Sequence, residues 1–376
     1  MKKWLTLVIA IGLGACSENT EDDARLASYK AALPSRAALA APEGTAQAST
    51  RAVGDVALFP ASSVPVVTGI NGTVGWVIDT LEAVTDLPPT VFNSDSKEYL
   101  WGPFENDDGV GFISVYIREN EPDADFAYTY AFVRGIDRDI ANASVIIAGG
   151  ATPLNPESDD PSTSEDNEFG SGILLVDFDA DLQFDLTNDP TTDEQERDRG
   201  KFVAVFGRGP DEDTPEATLA MVVAAFRNFV PAGESTAPAA VDYLYGEYEN
   251  QEVKASFLNY RLPIDVTEDG EVFEDTEVQI AFVNDGFGRA EVTATNGSLM
   301  AGESINATEC WGDQFDRTYL DISTNVAGGY SYTEGVPAGC VAPFDTPLDD
   351  LDIPSLADID QDDYQELEDL AENGLE

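Results

Sequence analysis

Phe126-Ala127-Tyr128-Thr129-Tyr130-Ala131-Phe132-Val133-Arg134 is the stretch that decides the fold class. Phe126, Tyr128, Tyr130 and Phe132 take alternate positions, with Ala127, Thr129, Ala131 and Val133 between them. Successive side chains of an extended strand point to opposite faces. The run therefore predicts a strand with four rings on one face and small residues on the other, in a sheet covered on both sides. Period-two runs recur at 112–118, 144–148, 172–178, 202–206, 241–248, 253–262, 278–284, 287–295, 304–309 and 318–324. A longer run, 219–230, has the length to bend between sheets or to be partly helical. Asn284-Asp285-Gly286 and Asn296-Gly297 are hairpin turns that join antiparallel neighbours. No helix-length pattern separates most of the strands, which argues against parallel βαβ units. The expectation is a mainly β protein, an antiparallel meander of about 11–12 strands curled into a sandwich or a (half-)barrel.

Two segments carry a helical period instead. Val74, Val77, Ile78, Leu81 and Val84 form one apolar stripe and predict an N-terminal helix near 73–86, with Asn71 or Thr73 as its cap and Pro88-Pro89 as its stop. In the acidic C-terminal stretch, Leu356, Ile359, Leu367 and Leu370 fit one helical face, so 346–376 reads as a tail that either docks as a helix or stays unfolded. Residues 54–345 form the single β domain, and 16–53, rich in Ala, Ser, Thr and Glu, read as a flexible tether reaching roughly 30–40 Å, with a short helix possible around Asp23–Ala32.

Composition excludes more than it identifies. The chain of 376 residues carries 19 basic and 72 acidic residues, a net of −53, and no histidine. Proteins bind nucleic acid by neutralising phosphates with Lys and Arg, so nucleic acid is not an expected partner, nor is the anionic face of a bilayer. The acidity fits solubility, adaptation to salty water, or capture of Ca²⁺ or a cationic partner. Without imidazole there is no Ser-His-Asp triad, no Cys-His dyad and no His-based zinc site. Three cysteines are too few for a Cys₄ metal site.

The chain opens with Met1-Lys2-Lys3, an apolar run from Trp4 to Leu13, and Leu13-Gly14-Ala15-Cys16. Two lysines, a short apolar region and small residues before a cut site describe an export signal. With the cysteine placed directly after Leu-Gly-Ala, this resembles the signal of bacterial lipoproteins. The resemblance implies removal of residues 1–15 and a diacylglycerol anchor on Cys16. Leu100-Trp101-Gly102-Pro103-Phe104, with 112–120 and 126–135, is similar to acidic lipoproteins of Gram-negative bacteria that carry no assigned activity. By the same analogy Ser17, rather than Asp, implies sorting to the outer membrane, with the lipid anchor as the contact with it. Cys310 and Cys340 remain as an even pair in an exported chain and are expected to form a disulfide. Closing that loop contributes about 3–4 kcal/mol in the chain-entropy description.

Candidate site residues are few. Asp177, Asp179 and Asp181 alternate like the first ligands of a calcium-binding EF-hand loop, as do Asp358, Asp360 and Asp362. Leu182 and Asp363 stand where that loop needs Gly, and Asn188 and Asp369 where it needs Glu. The alternatives at 177–181 are a weak Ca²⁺ site or a solvated acidic edge at a strand end; no other cofactor is expected. Trp101, Tyr128 and Tyr130, with Tyr243, Tyr245, Tyr248 and Trp311, either line a ligand groove or fill the core. Three acidic connections, 152–168, 188–199 and 210–216, are long enough to carry function.

No nucleophile elbow, Walker loop or dinucleotide fingerprint is present. The expected function is a non-catalytic envelope lipoprotein that binds or scaffolds a protein or glycan partner. One helix followed by a curling meander is similar in layout to the periplasmic lipoprotein chaperones LolA and LolB, which implies the alternative of a carrier for a lipid or other amphiphile. A Ca²⁺-dependent or carboxylate glycoside hydrolase is the third reading.

Overall fold

The computed structural model describes residues 20–42, 56–106, 109–153, 169–210, 218–233, 239–251, 253–266, 272–283, 286–326, 329–359 and 369. Fifteen strands form one antiparallel sheet in which each strand pairs with its neighbours in sequence, from β1 to β15. They are β1 Val91–Asn93, β2 Glu98–Glu105, β3 Phe112–Glu119, β4 Tyr128–Gly135, β5 Ser144–Pro153, β6 Phe169–Asp177, β7 Arg199–Pro210 and β8 Thr218–Val230. The meander continues through β9 Ala239–Glu249, β10 Lys254–Ile264, β11 Glu274–Phe282, β12 Gly288–Thr295, β13 Ile305–Trp311, β14 Arg317–Thr324 and β15 Tyr332–Gly335. Helices are α1 Thr20–Lys30, α2 Arg36–Leu39, α3 Leu58–Thr85 and α4 Phe178–Asn188. The antiparallel meander is as expected. Its additional strands are the short edge pieces β1 and β15 and the strand β2 through Trp101.

Segment 219–230 is a strand, not a helix; its bend is a bulge near Phe226 and Phe229, with Asn228 at φ 52°. Asn296 and Gly297 both have φ near 58°, the conformation a tight hairpin turn requires. The sheet is open, because β1 pairs only with β2 and β15 only with β14.

Helix α3 explains the curvature. At its N-terminus the amides of Leu58 and Phe59 donate to the carboxylate of Glu309 in β13, at 2.7 and 2.8 Å. Just beyond its C-terminus the Leu87 carbonyl accepts from Trp101 Nε1 in β2 at 2.9 Å. Eleven strand spacings of about 4.8 Å put β2 and β13 on the order of 53 Å apart in a flat sheet. A helix of this length spans only about 42 Å. Both ends meet their partners because the sheet bends toward the helix into an open trough.

The predicted stripe is the buried face of α3, where Val74, Val77, Ile78, Leu81 and Val84 join Val67 and Ile70 against the inner face of the sheet. The helix is fifteen residues longer at its N-terminus than the stripe suggests, since Pro65, Gly69 and Gly72 mask the pattern there. It is also long and apolar enough to cross a membrane. Here its apolar face packs on strands. Tyr130, Phe132, Phe202, Phe226, Tyr245 and Tyr260 belong to the same core. The ring of Tyr130 fills the space over Gly149, where a Cβ would stand 2.1 Å from it. Phe126 departs from the expected row: it precedes β4 and lies against Gly150, on the face opposite to Tyr130.

Two terminal segments differ from expectation. Residues 20–42, expected to be part of a flexible tether, pack into the core. Tyr29 sits edge-on to Tyr99 and Tyr128, and Asn71 brackets the backbone of Ala41 through Oδ1 and Nδ2. The Leu39 carbonyl accepts from Tyr245 Oη at 2.7 Å. Apolar rings and a polar bracket, absent from true linkers, hold this segment down. After Cys340 the chain crosses the outer face of the sheet as an irregular strap. Phe344, Leu348, Ile353 and Leu356 are buried there against Leu244, Tyr248, Phe257 and Ala281. Leu356 and Ile359 thus lie in irregular chain, while Leu367 and Leu370 fall outside the described residues.

Candidate ligand-binding groove

The face of α3 beside its buried stripe carries small residues at helical spacing, Pro65, Thr68, Gly69, Gly72 and Thr73, with Val66 and Ile70 bordering the core and Trp76 at the end. A Cβ built on Gly69 or Gly72 would meet nothing within 4 Å. This face is the floor of a groove of about 460 Å³. Its opposite wall comes from three other elements: Phe178 at the start of α4, Phe226 and Phe229 in β8, and Val241 and Tyr243 in β9. The bulge near Phe229 lets that ring join Phe226 on the inner side. Phe226 and Phe229 lie 4.6 Å apart between centroids, and Phe229 reaches Phe178 at 5.5 Å. Phe178 continues to Trp76 at 5.9 Å, and Phe226 to Tyr243 at 5.9 Å.

Among the described residues one carboxylic acid, Asp198, lines the groove. It belongs to the acidic connection after α4, and its Oδ1 accepts from the Ala232 amide at 2.8 Å. The Gly233 amide donates to the Gln195 carbonyl at 2.6 Å, so the connection is tied to the end of β8. Burial pushes the Tyr243 hydroxyl well above the usual phenol value, with the charges of Tyr260 and Asp242 adding to it. Tyr243 is therefore a neutral ring at physiological pH. The groove offers contact area and one carboxylate, a set suited to holding a ligand.

The aspartates read as a calcium motif do not converge. Asp177 caps α4 by accepting from the Ala180 amide and pairs with Lys201 at 3.3 Å. Asp179 accepts from the Gly200 amide at 2.8 Å. Asp181 pairs with Arg134, which also holds Asp185 at 2.6 Å and stacks on Phe184. Asp177 ends β6, as the strand-end reading expects, but it also caps α4, so Asp179 and Asp181 lie on a helix. Residues two apart then point about 200° apart around the axis instead of sharing a face. Among the described residues no group of three or more acidic or cysteine side chains is placed to hold a metal ion. In the second run Asp358 accepts from Ser355, and Asp360 and Asp362 fall outside the described residues.

The aromatic trio named from sequence belongs to the core and not to the groove. Trp101 and Tyr130 are fully buried, and half-buried Tyr128 packs on Tyr29. Tyr130 donates to the Ile173 carbonyl at 3.1 Å. Of the other tyrosines weighed, Tyr243 lines the groove, while Tyr245 and Tyr248 are buried on opposite faces of the sheet. Cys310 and Cys340 are bonded, with their Cα atoms 5.2 Å apart, and this bond fixes the start of the outer strap. Cys16 lies outside the described residues. Sequence reasoning missed Trp76, Phe178, Phe226 and Phe229. A signal for the floor existed in the helical spacing of Pro65, Gly69, Gly72 and Trp76, but no sequence signal joins it to the wall.

Compared with known proteins, the chain matches no family model, no curated protein sequence and no solved structure.

Proposed function

We propose that the mature chain is a non-catalytic binding protein held at the cell envelope through a lipid on Cys16, and that its ligand sits in the groove beside α3. The observation that carries this reading is the groove itself: a floor of small residues with Val66 and Ile70, facing a wall of rings, with Asp198 the single carboxylate among the described lining residues. Its volume of about 460 Å³ lies in the range of small-molecule sites. Between the two ligand classes the sequence leaves open, this shape favours an apolar small molecule or amphiphile over a folded protein or a glycan chain. Apolar rings and open glycines match methylene and ring surface, whereas a glycan site needs several convergent hydrogen-bonding groups. Because α3 and residues 20–42 fill the inner face of the trough, the capacity is one small ligand and not a multi-chain lipid.

Mass spectrometry of the full chain extracted from membranes tests both halves. A diacylglycerol adduct on Cys16 in the denatured protein and one co-purifying apolar compound in the native protein are expected. An unmodified N-terminus overturns the anchor. A native protein that carries nothing and takes up no dodecyl-chain compound overturns the groove as a binding site.

A further inference from the structure

The five rings of the groove form a continuous arc, and their chemistry says what kind of ligand they suit. From Trp76 to Phe178, Phe229, Phe226 and Tyr243, successive ring planes are inclined by 39°, 53°, 48° and 86°. Trp76 and Phe229 are the more exposed of the five and offer ring surface to the groove, with the largely buried Phe178, Phe226 and Tyr243 behind them. An aromatic face is electron-rich and attracts a cation, most strongly one that sheds its water easily, such as a quaternary ammonium.

Charge points the same way. Among the described residues neither Lys nor Arg lines the groove, and its ionisable acid is Asp198. The chain as a whole carries −53, a field that raises the local concentration of cations and lowers that of anions. A fatty-acid carboxylate or a phospholipid phosphate would enter beside Asp198 with no cationic side chain in the lining to meet it. An alkylammonium would place its head against the rings and Asp198, and its chain along Pro65, Gly69 and Gly72.

We propose that the groove selects a hydrophobic cation, of the quaternary ammonium class, over neutral and anionic amphiphiles of the same chain length. This inference rests on the groove being the binding site, as proposed above, and deepens it to a ligand class.

Calorimetric titration of the full mature chain with three probes below their micelle concentrations tests it: dodecyltrimethylammonium, dodecyl maltoside and dodecyl sulfate. The cation is expected to bind with one-to-one stoichiometry and about tenfold tighter than the neutral probe, with dodecyl sulfate weakest. Asp198→Asn is expected to weaken the cation severalfold and leave the maltoside unchanged. Trp76→Leu should weaken the cation more than the maltoside, since it removes a ring face and keeps apolar surface. Gly72→Trp, or Gly69→Trp if the first fails to fold, fills the groove and should abolish the one-to-one event. Cation binding that survives the filled groove is adsorption to the acidic surface and overturns the proposal. Equal affinity for cation and maltoside, insensitive to Asp198→Asn, overturns the cation preference and leaves the apolar groove standing. Binding of none of the three overturns both.

Discussion

The two faces of α3 are made from one continuous helix and do opposite things. Toward the sheet, Val74, Val77, Ile78, Leu81 and Val84 are buried and contribute to the core. On the other side, which lines the groove beside β8 and β9, a Cβ on Gly69 or Gly72 would meet nothing within 4 Å, and Trp76 is 41 % exposed. Large apolar side chains at helical spacing mean burial, since each removes water-exposed area on folding. Small residues at the same spacing on the other face leave room. The contrast teaches that the site was built by leaving side chains out, while the core was built by putting them in.

The contrast is sharpest at glycine. Gly75 lies between the faces and is buried, because the guanidinium of Arg36 crosses it on the way to Asp79; a Cβ there would stand 2.8 Å from Arg36 Nη1. Gly72, one turn earlier, has no such neighbour.

Five substitutions, in four tests, break or sharpen this comparison. Leu81→Ala on the core face is expected to cost about 2–5 kcal/mol by cavity formation, measured by urea unfolding, while dodecyltrimethylammonium binding at the groove persists in the folded fraction. If the loss is below 1 kcal/mol, that face is not the packed one.

Glu309→Gln tests how the helix is held in the trough. The amide keeps one acceptor for two N–H donors, and a buried donor left unpaired costs about 1–3 kcal/mol. The wild-type carboxyl has its pKa raised by burial, a shift only partly offset by the amides of Leu58 and Phe59 and the charge of Arg317. A carboxyl that binds its proton more tightly when folded adds stability that is full below the ordinary carboxylate range and is lost as pH rises through the raised value. The stability of wild type relative to Glu309→Gln should therefore fall as pH rises from acid toward neutral. A difference that grows with pH sinks this assignment.

Gly75→Ala and Gly72→Ala form the third test. Alanine favours helix by roughly 0.8–1 kcal/mol over glycine. At Gly72 that gain should appear in full as a higher melting temperature. At Gly75 it should be offset by displacement of Arg36, so that the two variants differ although their helix propensities are the same. Equal melting temperatures mean that Arg36 yields freely. Smallest in stability is Trp76→Leu, expected to change unfolding by less than about 1 kcal/mol while weakening the cationic probe.

Much of the fold was legible because alternation is a local property. Phe126 to Val133 alone showed a strand with apolar character on both faces, and the structure covers the inner face with α3 and part of the outer face with the strap after Cys340. The helix α4 was not legible, because Asp177, Asp179 and Asp181 alternate like a strand while Asp177 in fact supplies the N-cap. The place of Tyr29 was hidden too. A single ring between Ser28 and Lys30 does not announce that Tyr99 and Tyr128, far along the chain, are waiting for it.

The groove shows the limit most plainly. Pro65, Gly69 and Gly72 read locally as weak helix, and Phe226 and Phe229 as ordinary strand residues.

By itself the sequence determined an antiparallel β protein, a cysteine pair joined by a disulfide, and a field of negative charge with no histidine to do acid–base work. Those follow from composition and from periods of two and 3.6 residues, which neighbours along the chain carry. Only the tertiary structure decided that the inner rings surround a helix, that residues 20–42 pack into the core, and that one face of that helix stays open. The reason is that five rings from α3, α4, β8 and β9 meet through the bend of the sheet and a bulge in one strand, and such meetings are properties of the assembled fold and not of any segment.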